Sequence, residues 1–164
     1  LDMALSEEDL VQIKEELVES GYIRRKIGGK KVKITSKPYH YVSSDGFDIY
    51  VGKNNFQNDE LTFRLARKDD IWCHASKVHG SHVIISCGGT TPPDNTVTQA
   101  AQLAAYYAET GGGQNIPVDV TAVKQVKKIP NGKPGMVIYH TYRTVIANPY
   151  PDIVVDALNA ETKE

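Results

Sequence analysis

Between Asp70 and Cys87 the chain gathers its only tryptophan, three of its five histidines and both of its cysteines. Cys73, His74, His79, His82 and Cys87 are nitrogen and sulfur donors of the kinds zinc prefers. Ser81 beside His82, with Asp70 nearby, also holds the members of a nucleophilic triad. Spacing argues against both chemistries. Cys73 and His74 are adjacent, so on a strand they leave opposite faces, and no CxxC or HxxxH unit is present. Ser81 and His82 are neighbours too, and adjacent strand residues do not share the hydrogen bond a triad needs; no oxyanion hole is evident. The plainer reading makes Cys73 a small buried apolar residue, with one or two histidines satisfying local hydrogen bonds. No catalytic residue, metal site or cofactor is expected.

Phosphate-cradling loops fail as well. Gly46 and Gly52-Lys53 resemble a P-loop, but the spacing is one residue too long and Asn54 stands where Ser or Thr is required. Gly111-Gly112-Gly113 follows a predicted helix instead of opening one, so it is no dinucleotide fingerprint. Nucleic-acid binding accounts for more residues. Trp72 and the tyrosines can stack on bases, His74 and His82 can donate to phosphate or sugar oxygens, and Gly80-Ser81 lets backbone amides approach a phosphate. For any single tyrosine, packing in a sheet is the commoner role. No recognition helix is evident, which favours RNA over duplex DNA.

The elements that must position these residues are readable from periodicity. Tyr39 and Tyr41 alternate before the turn Ser43-Ser44-Asp45-Gly46, and Phe47, Ile49 and Val51 alternate after it, a hairpin. Leu61, Phe63 and Leu65 alternate with Thr62 and Arg64, which predicts another strand. Ile71 to Ala75 and His82 to Ser86 form a hairpin turning around Val78 to Ser81. A helix is predicted over Thr96 to Glu109, capped by Asp94 or Asn95, showing a broad face of small residues and ended by the three glycines. Val118 to Val123, Met136 to His140 and Thr144 to Ala147 read as strands. Together these give an α+β domain: a mainly antiparallel, curved sheet with one principal packed helix. A short amphipathic helix at about 7 to 20 precedes it, begun by the capping-box-like pair Ser6 and Asp9 and stopped by Gly21. Residues 1–37 are expected to be a helix and basic connector, 38–150 the main domain and 151–164 a tail.

At 164 residues with a net charge of −1, the chain is long enough for a real core and is not disordered by composition. No apolar run approaches the ~20 residues of a membrane helix, and residues 1 to 8 lack the pattern of a signal peptide. A start on Leu suggests a piece of a longer protein, and two cysteines suggest reduced thiols in an intracellular one. The near-zero net charge hides a pattern. Arg24, Arg25, Lys26, Lys30, Lys31, Lys33 and Lys37 follow one another with no acid among them. A second acid-free span, Val120 to Pro151, carries Lys124, Lys127, Lys128, Lys133 and Arg143. Two such tracts suggest a polyanionic partner.

Ordered blocks of the chain resemble the C-terminal, RNA-binding-type module of the NFACT family, that of bacterial fibronectin-binding protein A and its ribosome-quality-control homologue RqcH. The blocks are Tyr41-x-Ser43-Ser44-Asp45-Gly46-Phe47, Val51-Gly52-Lys53-Asn54-Asn55-x-x-Asn58-Asp59, Asp70-x-Trp72-x-His74, Gly80-Ser81-His82-Val83-Ile84-Ile85, Ala104-Ala105-Tyr106-Tyr107-Ala108 and Lys133 to Tyr139. His79 and Cys73 depart from the family pattern, which usually has Pro and a large apolar residue there. The resemblance implies a non-catalytic module that binds tRNA on an obstructed large ribosomal subunit, in the cytoplasm. The alternative it implies is an adhesin module binding fibronectin at the cell surface. Lys53, Asn54, Asn55, Trp72, His74, Ser81, His82 and Lys133 are the residues expected to meet RNA.

Overall fold

The turn Ser43–Gly46 folds the chain back as its composition predicts: Gly46 adopts φ +87° and donates its N–H to the Ser43 carbonyl. The computed structural model describes residues 26, 27, 30, 31 and 36–149. The chain divides into two compact units, residues 1–37 and 38–164. In the first, β1 (Lys26–Ile27) pairs antiparallel with β2 (Lys30–Lys31). The helix expected at 7 to 20 and the tail from 151 lie outside the described residues.

The second unit is built on one open sheet. Its strands are β3 (Tyr39–Val42), β4 (Asp48–Val51), β5 (Ile71–Ala75), β6 (Val83–Ser86), β7 (Ile116–Ala122) and β10 (Arg143–Ala147). They lie in the order β10-β7-β5-β6-β4-β3, and every neighbouring pair is antiparallel. Two of the hairpins were legible in the pattern: β3–β4 with Tyr41 opposite Ile49, and β5–β6 with Trp72 opposite Ile84.

Period-two alternation sorts the side chains onto two faces. One face buries Tyr41, Ile49, Val51, Cys73, Ala75, Val83, Ile85, Val118 and Val120. Against it lies α2 (Asp94–Tyr106), whose Val97, Ala100, Ala101, Leu103, Ala104 and Ala105 are also buried. Four alanines in that stripe let the helix sit close on the strands. The helix is shifted toward the N-terminus of the expected range, starting two residues earlier and ending three earlier. It follows Pro93 with no side-chain cap, Asp94 instead serving the first turn as an acid, and it ends at Tyr106 with Tyr107 as its C-cap, before the glycines. An isolated bridge between Gly80 and Ala108 takes the chain away there.

The other face has a different cover. After β4 the chain forms α1 (Asn55–Glu60), which runs directly into a π-helical turn over Leu61–Leu65. The strand expected from Leu61, Phe63 and Leu65 is therefore a helical turn. Its widened closure is the Ala66 N–H donating to the Leu61 carbonyl at 2.8 Å, five residues back. The expected strand over Met136 to His140 shrinks to β9 (Val137–Ile138), which pairs with β8 (Lys127–Lys128) in a separate hairpin. Under this cover Leu61, Trp72, Ile84, Val123 and Val126 are buried together.

Candidate nucleic-acid interface

The block Lys53-Asn54-Asn55-x-x-Asn58-Asp59 is first a helix start. Asn54 is extended, and its Oδ1 accepts the Gln57 N–H at 2.8 Å, the standard service of an N-cap. Gln57 reaches back, its Oε1 accepting the Lys53 N–H at 2.9 Å. Asn58 Oδ1 accepts the His82 N–H at 3.0 Å, tying the helix to the start of β6. Asp59 accepts from the Gly135 N–H at 3.4 Å and pairs with Lys128 Nζ at 2.8 Å. A Cβ on Gly135 would stand 3.2 Å from the Asn55 carbonyl oxygen, so the turn Lys133-Pro134-Gly135 packs directly on the beginning of α1.

Trp72, His74 and His82 form one aromatic cluster on the covered face. The Trp72 and His74 rings are parallel at 5.5 Å, and His82 stands edge-on to both. Tyr139 closes against Trp72 and donates its hydroxyl to Asp119 Oδ2 at 2.6 Å; the Thr144 hydroxyl donates to Asp119 Oδ1 at 3.0 Å. Burial, reinforced by the His74 ring, pulls the His82 pKa down to about 3 against the pull of the Gly135 carbonyl. His82 is thus neutral near pH 7, and its tautomer follows from its partners. A carbonyl only accepts, so Nε2 carries the proton and donates to Gly135 O at 3.1 Å, while Nδ1 accepts from the Thr62 hydroxyl at 2.8 Å. Burial lowers the His74 pKa as well. On the opposite face, burial pushes the Cys73 thiol up to about 12. Cys73 and Cys87 are both free, and among the described residues no group of three or more His, Cys, Asp or Glu could hold a metal ion.

This geometry corrects part of the sequence expectation. Trp72 is 0 % exposed and His82 1 %, so neither ring is presented to a base or a phosphate. Both face inward because the α1–β9 cover lies over their side of the sheet, which alternation alone does not reveal. Asn54 is buried as a cap. His74, Ser81 and Asn55 are half-buried, Lys53 holds its Nζ 4.8 Å over the Tyr39 ring, and Lys133 is exposed on the β8–β9 loop. The structure brings Asn54, Asn55 and the Lys133 turn together and puts Trp72, His74 and His82 beneath them. What single-residue reasoning passed over is the rest of the cover's charge. Lys124, Lys127, Lys128 and Arg64 are all exposed there, and the acid-free span had marked the lysines only collectively. Asp59 is matched by Lys128 and Asp69 by Lys124 at 3.5 Å, and among the described residues no ion pair takes up Lys127, Lys133 or Arg64.

Other residues of the resemblance serve the fold. Asp70 is 2 % exposed; its Oδ1 accepts the N–H groups of Cys87 (3.0 Å) and Gly88 (2.8 Å), and its Oδ2 that of Arg67 (2.8 Å). Ser43, Thr96 and Asp45 form a hydroxyl–hydroxyl–carboxylate chain that pins the β3–β4 turn to α2.

The profile of the family described as the NFACT protein RNA binding domain matches residues 37–141. Among curated proteins, the chain is similar to the Rqc2 homolog RqcH of Streptococcus pneumoniae, 43 % identical over 143 residues, which is 87 % of this chain. It is also similar to the Rqc2 homolog RqcH of Bacillus subtilis, 42 % identical over 156 residues and 92 % of this chain. The chain spans about a quarter (26 %) of the length of these relatives. A solved structure, the C-terminal part of the fibronectin/fibrinogen-binding protein from Streptococcus suis, superposes with a TM-score of 0.80 at 39 % identity, covering 93 % of this chain and 61 % of that one.

Proposed function

We propose that this chain, which belongs to the NFACT RNA-binding domain family, is a binding module that grips RNA without chemistry of its own and serves a larger ribosome-quality-control protein. Its partner in this reading is tRNA on the obstructed large ribosomal subunit, which places its work in the cytoplasm. Among the described residues no helix is long and apolar enough to cross a membrane.

The observation that carries the reading is the charge of the α1–β9 cover. Its acids are Asp59, matched by Lys128, and Glu60; against that one remaining carboxylate stand Lys127, Lys133 and Arg64, which no ion pair takes up among the described residues. Lysines neutralising phosphates give affinity that falls steeply with salt, by about 0.7–0.9 log units per phosphate for each tenfold rise. Beneath them, the His82 to Gly135 hydrogen bond and the packing of Gly135 on Asn55 hold the Lys133 turn in place, so charge is presented on a rigid support. Trp72, His74 and His82 act in this reading as supports, with Lys53, Asn55 and Ser81 nearer the RNA.

The test is the salt dependence of tRNA binding by the chain and its Lys127→Ala/Lys133→Ala variant. The slope of log K against log salt is expected to fall by about two with both lysines gone. An unchanged slope, or binding indifferent to salt, ends the proposal. The similar Streptococcus suis structure belongs to a fibronectin/fibrinogen-binding protein, and that likeness favours a second reading, a module that binds fibronectin. Immobilised fibronectin with tRNA as competitor separates them: capture that tRNA leaves untouched favours the adhesin.

A further inference from the structure

At the β3 edge of the sheet four tyrosines meet the end of α2. Tyr39 on β3 stacks on Tyr107 with centroids 5.1 Å apart and planes at 22°. The Tyr41 and Tyr107 hydroxyls are hydrogen-bonded to each other. Tyr106 stands edge-on to Tyr107 at 4.9 Å, and Lys53 Nζ lies 4.8 Å over Tyr39 at the other end of the series. Tyr41 is buried and Tyr39 and Tyr107 are half-buried, but Tyr106 is 39 % exposed. Tyr107, anchored by Tyr39 and Tyr41, thus flanks a fourth ring, Tyr106, that presents apolar surface to solvent. The loop Ser76–Ser81, with exposed Lys77 and His79, is seated on the same helix end by the Gly80–Ala108 bridge and by the Glu109 N–H donating to His79 O at 2.9 Å.

We infer that this corner takes an unpaired RNA base stacked on the Tyr106 ring, with Lys53, at the far end of the tyrosine series, meeting a phosphate farther along the same strand. The inference rests on the RNA reading above and adds the class of RNA: one that offers an unpaired nucleotide beside a structured region. A phenol ring held by its neighbours loses little side-chain freedom when a base settles on it, and stacking is indifferent to which base arrives. The surroundings suit an anion. Lys53, Lys77 and His79 border the corner, and Glu109 is the single acid between Asn95 and Val118. Lys53 also immediately precedes the Asn54 cap, so it joins the corner to the lysine-bearing cover along a continuous stretch of chain.

The experiment compares the whole 164-residue chain on a blunt RNA duplex and on the same duplex carrying a short unpaired overhang. The overhang is expected to strengthen binding. Tyr106→Ala is expected to cost about tenfold on the overhang substrate and nothing on the blunt one, while Tyr106→Phe keeps the advantage. Tyr106→Leu fills the same space without a ring face, so it reports the stacking even where the alanine variant folds poorly; it is expected to lose the advantage. An overhang advantage that survives in Tyr106→Leu, or an equal loss on both substrates, overturns the inference and leaves the RNA reading standing. Absence of any duplex binding by the unaltered chain overturns the RNA reading, and this inference with it.

Discussion

Helix α2 and the α1–β9 cover lie on opposite faces of the same six strands, and the two faces are held by different physics. Beneath the middle of α2 the contacts are mostly aliphatic, with the tyrosine corner and the Ser43–Thr96 hydrogen bond at its ends, and buried alanines let helix and strands approach closely. Beneath the α1–β9 cover Trp72 is buried among His82, Asp119, Asn58 and Thr62, and those four polar residues are tied by directed hydrogen bonds to partners 20 or more residues away. An aliphatic face specifies shape; a polar aromatic face fixes particular atoms, and here it fixes the lysine-bearing turn. The comparison teaches that the densest run of motif residues is buried beneath the lysine-bearing turn and holds it in place. The residues proposed to touch RNA are the plainer lysines above.

Removing the keystone of the polar face is expected to have the largest effect. Trp72→Ala deletes a fully buried indole and should lower unfolding free energy by about 3–5 kcal/mol, read from urea unfolding followed by circular dichroism. Trp72→Phe should lose less than half of that. Among the described residues no acceptor meets the buried Trp72 Nε1–H, and the phenylalanine relieves an unpaired donor whose burial costs about 1–3 kcal/mol. A loss under about 1 kcal/mol for Trp72→Ala would mean that the cover is not packed on this face, and the comparison would fail at its root.

Acid should separate the faces next. His82 is neutral in the folded chain with a pKa of about 3, and His74 is shifted the same way. Unfolding restores a value near 6.5, so between about pH 6.5 and 3 the unfolded chain binds more protons. Stability must then rise with pH in that window and fall on acidification, by at most about 1.4 kcal/mol per pH unit for each histidine. His82→Gln is expected to flatten the slope of unfolding free energy against pH by up to one proton. An α2-side variant should leave that slope untouched, since Cys73, lifted to about 12, does not titrate there. Equal slopes in the native chain and in His82→Gln would remove His82 from the account.

The α2 face was nearly transparent to sequence reading, and the reason is physical. Tyr41, Ile49 and Val51 alternate because one side of their strands is buried in apolar surroundings, and Val97, Ala100, Ala101 and Ala104 recur with the turn of a helix laid on that side. Period two also separated Cys73 from His74 correctly. It could not say what covers the second face. Trp72 and His74 were equally consistent with a solvent-facing platform, and only the return of residues 55–65 and 127–138 over them decides otherwise. The same blindness disguised Leu61–Leu65. Leu61 is buried, Phe63 half-buried and Leu65 61 % exposed, a gradient along a widened helical turn that mimics strand alternation. Asn54 read as a ligand because a cap and a ligand use the same side-chain oxygen.

A tighter fit should show on the aliphatic face as a cost of intermediate size. Ala101 is fully buried between α2 and the sheet, so Ala101→Leu forces the helix off the strands and should cost about 1–3 kcal/mol without altering the pH slope. A stabilising leucine would reveal unfilled space under α2 and contradict the close approach argued for it.

The smallest effects lie on the surface of the cover, and they are the sharpest, because two neighbouring lysines should behave differently. Lys128 pairs at 2.8 Å with Asp59, a carboxylate only 19 % exposed, and sits 5.9 Å over the Phe63 ring. Removing it leaves Asp59 with the Gly135 N–H alone at 3.4 Å, but Lys128 is itself largely solvated, so Lys128→Ala should cost no more than about 1 kcal/mol. Lys127 is exposed opposite Ile138, and Lys127→Ala should stay within about 0.5 kcal/mol of the unaltered chain. If both contact phosphate, each variant lowers the salt slope of tRNA binding by about one. If Lys128 is instead committed to Asp59, its variant loses stability while the slope stays put, and Lys128 belongs with Trp72 and His82 to the support beneath the surface. Measuring stability and salt slope on the same two proteins therefore locates where the support ends and the RNA-facing layer begins.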